Sequence, residues 1–231
     1  MTKKFLQVIK SPFFWCTLAD LSILIVFYFL NEPIELIVAA MSGISYFILL
    51  AFNDKKGSTP LGVISIVLFG VIAYNTKTPM YETFILSIFF YLPILIIDII
   101  NNCKENKITS KKLTYFQRNK LLYLSILVIL YSQFIFEIKN YTFMFSIMCS
   151  ILTIVPLVAM ILCVKNYYEQ WYLWIFINII FIITWILTYN YHDLGDIALL
   201  ILWIFFLINS IFGLINWKKI YNNNRSRKYD E

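Results

Sequence analysis

Trp171, Trp174 and Asn178 stand at i, i+3 and i+7. At roughly 100° per residue they fall within about 60° of arc on one helix face. The two indoles offer flat π surfaces to a planar or cationic heterocycle. Asn178 lies about one turn further along and adds two donors and an acceptor for hydroxyls or an amide. Trp and Tyr at a helix end also form the ordinary interfacial belt of a membrane protein. For Trp171 alone the two readings weigh equally. The belt accounts less well for Trp174 and not at all for Asn178, because an Asn in an apolar helix needs a partner. Asn209, Gly213 and Trp217 follow at i, i+4 and i+8. They read either as helix packing, with Gly213 at a close approach, or as convergence of Asn209 with Asn178 on one solute.

Charged groups offer less. Asp98 stands near the end of an apolar run, where a charge is costly. It meets either a cationic ligand or a Lys from a loop, and the structural role is the stronger. Asp20 faces the same choice in the first run. Glu35, Glu82 and Glu169 open apolar runs, where the helix macrodipole favours a carboxylate. His192, the single histidine, reads as solvated. Cys16, Cys103, Cys149 and Cys163 form no CxxC pair and read as reduced or buried thiols, without a metal or cofactor. The chain has no HExxH, GxSxG, phosphate loop or paired carboxylates at hydrolase spacing, so an enzyme is not expected.

What must position these residues is a membrane bundle. Of 231 residues, 61% are apolar and 14% charged, with a mean hydropathy of +0.76; a soluble domain of this composition lacks a polar surface. About 20 apolar residues cross a bilayer as a helix. Eight runs qualify: 13–30, 34–52, 60–75, 82–100, 119–136, 141–164, 167–189 and 195–217. The third begins at Pro60, a favourable first-turn residue. The first ends without a small-residue cleavage site and is read as a retained helix. With the N-terminus on one side, all 19 Lys and Arg except Lys77 and Lys139 fall on that side. That side is therefore cytoplasmic and both termini lie inside. The net charge of +6 thus reports topology, not nucleic-acid binding. The polar tail, 218–231, is expected to be disordered.

The long loop 101–118 divides the chain into a preceding helix (13–30), a first triplet (34–100), a linker helix (119–136) and a second triplet (141–217). A single linking helix makes the two triplets parallel repeats. Ile100-Asn101-Asn102 and Ile215-Asn216-Trp217 close corresponding helices and lend faint support.

The stretch ILCVKNYYEQWYLWIFINIIFI, with INSIFGLINW after it, resembles the PnuC family of vitamin-type transporters. The likeness spans roughly residues 34–220. It is specific at Tyr167, Glu169, Trp171, Trp174, Asn178 and Asn209, and looser in IELIVAAMSGI and LGVISIVLFGVIAY. It implies an all-α integral membrane protein of eight transmembrane helices, one N-terminal helix plus a 3+1+3 parallel repeat, in the plasma or inner membrane. It also implies facilitated diffusion of nicotinamide riboside, driven by neither ATP nor an ion, with trapping by a cytoplasmic kinase. Trp171, Trp174, Asn178 and Asn209 carry over as solute contacts. Helix 4 departs from the pattern: Ile94, Ile97, Asp98 and Asn101 replace polar and aromatic residues of the nicotinamide riboside carriers. Asp98 as a contact suits a cation such as thiamine, and a less aromatic pocket suits a deoxynucleoside; riboflavin is the further relative. The partners implied are the solute, the bilayer and, as an open matter, further copies of the chain as a homo-oligomer. A membrane scaffold or accessory subunit is the reading from another class.

Overall fold

The computed structural model describes residues 11–75, 84–104, 109–123, 125–126, 143–188 and 194–227. It is all-α: α1 is Pro12–Phe29, α2 Ile34–Ala51 and α3 Lys55–Asn75. A π-helical turn, Leu86–Tyr91, runs directly into α4, Leu92–Lys104. Residues 115–123 and 125–126 are helical and are labelled α5. Then come α6 (Phe143–Val164), α7 (Gln170–Thr188) and α8 (Leu194–Arg227). This is the eight-helix arrangement, one helix before two triplets that flank a linker. Lys77, Glu82, Lys139, His192 and most of the expected linker helix lie outside the described residues.

The ends of α1, α2 and α6 are cut by one device. Asn31, Asn53 and Asn166 take φ of 56°, 66° and 63°, the left-handed region that Asn tolerates better than other residues bearing a Cβ. Behind each, two backbone bonds close the last turn: Glu32 N–H to Phe27 O (3.0 Å) and Asn31 to Tyr28, Asp54 to Leu49 (2.9 Å) and Asn53 to Leu50, Tyr167 to Leu162 (2.9 Å) and Asn166 to Cys163. This is the Schellman closure, which satisfies carbonyls a helix end leaves orphaned. Since α2 and α6 each open a triplet, Asn53 and Asn166 are repeat equivalents.

Three boundaries differ from expectation. α3 starts at Lys55, not Pro60, because Asp54 Oδ1 accepts the Gly57 N–H at 3.0 Å and caps a turn that reads as a loop. Pro60 is left inside the helix. α8 continues to Arg227 where a disordered tail was expected from residue 218. At 34 residues it is about 50 Å long, well beyond a hydrocarbon core of about 30 Å. Tyr221, on the projecting part, packs on Tyr168 with ring centroids 5.4 Å apart. α7 begins at Gln170, so Tyr167, Tyr168 and Glu169 belong to the connection before it.

The two triplets close into a ring. Within each, the first helix packs on the second and the second on the third; between them, α4 meets α6 and α8 meets α2. Exchanging the triplets maps each junction onto the other, as a parallel repeat requires. α1 lies outside the ring against α2 and α8, burying Cys16, Ala19, Ile23 and Phe27 at helical spacing. Between membrane helices close backbone approach is the main attraction. Gly213 supplies it for α7 and α8: a Cβ there would meet the Trp171 ring at 2.7 Å.

Candidate functional site

Five of the ring helices (α2, α3, α6, α7 and α8), with the π turn before α4, line a central cavity of about 510 Å³. Its wall divides by chemistry. α2, α7 and α8 contribute a run of touching rings. Trp174 meets Phe47 edge-on at 4.9 Å, Phe47 meets Phe206 at 5.1 Å, and Phe206 meets Trp203 at 5.5 Å. Trp203 stacks on Phe181 at 3.9 Å with planes 10° apart. On the other side, α3, the π turn before α4, and α6 contribute the hydroxyls of Ser65, Ser87, Tyr91 and Thr153. Among the described residues no Lys, Arg, Asp or Glu lines the cavity.

Two expected contacts face this space. Trp174 lines it, with its indole N–H buried and without a hydrogen-bond partner among the described residues. Asn178 lines it as well, and its Nδ2 donates to Ser210 Oγ at 2.9 Å while Ser210 Oγ donates to Phe206 O at 2.8 Å. The polar group in the apolar helix is thus held by the neighbouring one.

Three expected contacts lie elsewhere. Trp171 is fully buried beneath the cavity, against Gly213 and edge-on to Trp217 at 6.1 Å. One turn of depth separates it from Trp174, so sharing a helix face does not bring both to the solute. Asn209 faces outward into a separate groove between α1, α2 and α8, and does not converge with Asn178; its neighbour Ser210 fills that place. Asp98 is buried in an ion pair, its Oδ1 3.0 Å from Lys55 Nζ and its Oδ2 accepting from Thr59 Oγ1 at 3.2 Å. Lys55 Nζ also donates to Cys163 O at 2.6 Å. Asp98 therefore answers a Lys, the structural alternative, and offers no free charge to a cationic solute. Asp20 lies outside the ring on α1 and accepts from Ser45 Oγ at 2.8 Å. Among the described residues no group of three His, Cys, Asp or Glu forms a metal site.

The inner end of the cavity is plugged. Tyr46 and Met160 form part of its floor, and Leu50, Leu95, Trp171 and Trp217 are buried in the cluster below. Both junctions between the triplets are sealed there by side chains that cap the partner's first helix. Asn216 Nδ2 and Trp217 Nε1 donate to Ala51 O and Leu50 O, each at 2.8 Å. Lys55 does the same for α6. At the same end of the bundle, Lys111 N–H donates to Asn166 O at 2.7 Å and Leu113 N–H to Glu169 Oε1 at 2.9 Å, pinning the long loop to the α6–α7 connection. Burial there raises the Glu169 carboxyl above its usual range.

Residues 32–219 match the family described as nicotinamide mononucleotide transporter. The chain belongs to that transporter family. Among its relatives, the nicotinamide riboside transporter PnuC of Neisseria mucosa is 26% identical over 205 residues, covering 85% of this chain and 76% of that one. PnuC of Haemophilus influenzae is 37% identical over a shorter stretch of 68 residues, 29% of this chain and 26% of that one. The crystal structure of a vitamin B3 transporter PnuC superposes with a TM-score of 0.73 at 24% identity, over 92% of both chains. For this member of the nicotinamide mononucleotide transporter family, the likeness confirms the fold.

Sequence reasoning missed Phe47, Tyr91, Phe181, Trp203 and Phe206. A signal existed for two of them: Trp203, Phe206 and Ser210 repeat on α8 the i, i+3, i+7 spacing of Trp171, Trp174 and Asn178 on α7. The two patterns meet at the Asn178–Ser210 hydrogen bond.

Proposed function

We propose that the chain is a facilitator that brings nicotinamide riboside across the plasma or inner membrane, with both termini cytoplasmic, and that cytoplasmic phosphorylation then traps it. The observation that carries this reading is the divided, uncharged cavity. A planar ring with a delocalised positive charge is held by aromatic faces without any carboxylate. A ribosyl group needs hydroxyl partners on the other side. The mononucleotide fits poorly, since a phosphate dianion buried without a cation costs several kcal/mol or more. Thiamine loses its main support because Asp98 is already paired with Lys55.

Trp174 and Asn178 are the contacts proposed for the second triplet. Alternating access comes from rocking one triplet against the other about the fixed site. The test is uptake of labelled nicotinamide riboside into proteoliposomes without ATP or an ion gradient. Wild type is expected to equilibrate the riboside and to exclude the mononucleotide. Trp174→Ala and Asn178→Ala are expected to lower uptake at least tenfold with unchanged yield of folded protein. Normal uptake in both variants removes this site. No uptake of any nucleoside by wild type favours the scaffold reading.

A further inference from the structure

Most polar atoms in the cavity wall are already engaged. Ser65 Oγ donates to Ala39 O at 3.0 Å. Tyr46 Oη lies against Met160 Sδ at 3.9 Å and Cys163 Sγ at 3.8 Å. Asn178 and Ser210 engage each other. Ser87 and Tyr91 are different: both line the cavity, and neither hydroxyl has a hydrogen-bond partner among the described residues. Ser87 is 5% exposed. Both residues line a cavity with a largely apolar wall, so a solute that enters can gain hydrogen bonds there that the protein does not already make.

Their backbone is also special. Both sit in the π turn Leu86–Tyr91, the only such segment among the described residues. π turns inside longer helices recur at functional sites. Here α3 approaches the turn closely: a Cβ on Gly70 would stand 3.2 Å from Ser87 Cβ. α4 is thereby held against α3 while Ser87 and Tyr91, four apart and so on one face, are offered to the cavity.

We propose that Ser87 and Tyr91 are the specificity-determining residues of the first triplet, binding the sugar hydroxyls of a ribonucleoside whose base lies on the ring wall of α2, α7 and α8. The assignment rests on the transport reading above. It also relocates the polar contribution of helix 4. The resemblance expected it near Ile94, Ile97, Asp98 and Asn101; here it comes one to two turns earlier. A solute held this way bridges the two triplets, with its base on α7 and α8 and its sugar on the segment leading into α4.

The test is calorimetric titration of the purified full-length protein with nicotinamide riboside and with free nicotinamide, which has the ring but no sugar. Ser87→Ala and Tyr91→Phe each remove one oxygen. Each is expected to weaken riboside binding about fivefold to tenfold, the worth of one hydrogen bond. Nicotinamide affinity is expected to match wild type, which also reports an intact cavity. Unchanged riboside affinity in both variants overturns the assignment, as does an equal fall for both ligands. A wild-type protein that binds no riboside overturns the transport reading, and the assignment with it.

Discussion

At the residue scale, the Lys55–Asp98 pair has no access to water and no place in the cavity, so its role is to be judged by stability. Breaking a buried pair from one side leaves an uncompensated charge and costs about 3–5 kcal/mol, whereas replacing both partners with apolar groups is often neutral. Lys55→Met and Asp98→Leu are each expected to lower thermal stability sharply, and the double variant to regain most of the loss. Additive losses in the cycle would mean the two side chains act independently. The pair also marks where the site was legible in the sequence. Trp174 and Asn178 were readable because an Asn in an apolar run must be explained. Trp171 misled because a helix face spans both a cavity and the packing beneath it, and spacing gives angle but no lateral contact. Asn209 misled by one position: about 100° of helix rotation separates its outward groove from the inward Ser210.

At the element scale, long apolar runs gave the helices closely, since few alternatives exist in a bilayer. The error at α3 came from Lys55-Lys56-Gly57-Ser58, a stretch with loop composition that a capping Asp54 turns into helix. The extension of α8 was hidden because a polar helix beyond the membrane carries no hydropathy signal. The left-handed geometry of the Asn closures appears only in the fold. Asn166 is the one to test, because its carbonyl also receives Lys111 N–H. Asn166→Gly is expected to be tolerated. Asn166→Ala is expected to cost about 1–2 kcal/mol, since a Cβ without a local polar group is strained at positive φ. Thermal unfolding in detergent compares the two. Equal stability of both variants would show that backbone strain at this corner is unimportant.

At the scale of the whole molecule, a ring of two equivalent triplets can release solute inward only if its inner seams part. Those seams are hydrogen bonds from one triplet to the first helix of the other: Asn216 and Trp217 onto α2, Lys55 onto α6. Cys163 lies at the second seam, its carbonyl held by Lys55 and its thiol buried 3.8 Å from the Tyr46 hydroxyl on the cavity floor. It is therefore a native reporter of inward opening. In a variant with Cys16, Cys103 and Cys149 replaced, a membrane-impermeant thiol reagent on the cytoplasmic side should label Cys163 slowly at rest. Nicotinamide riboside should speed labelling, because turnover passes through a state with the seam open. Lys55→Met should raise the resting rate severalfold by removing the bond that spans the seam. A rate that ignores both the solute and Lys55 would mean the triplets do not separate there. The opening would then have to run through the Asn216–Trp217 seam, where Trp217→Phe keeps the ring and deletes only its bond to Leu50.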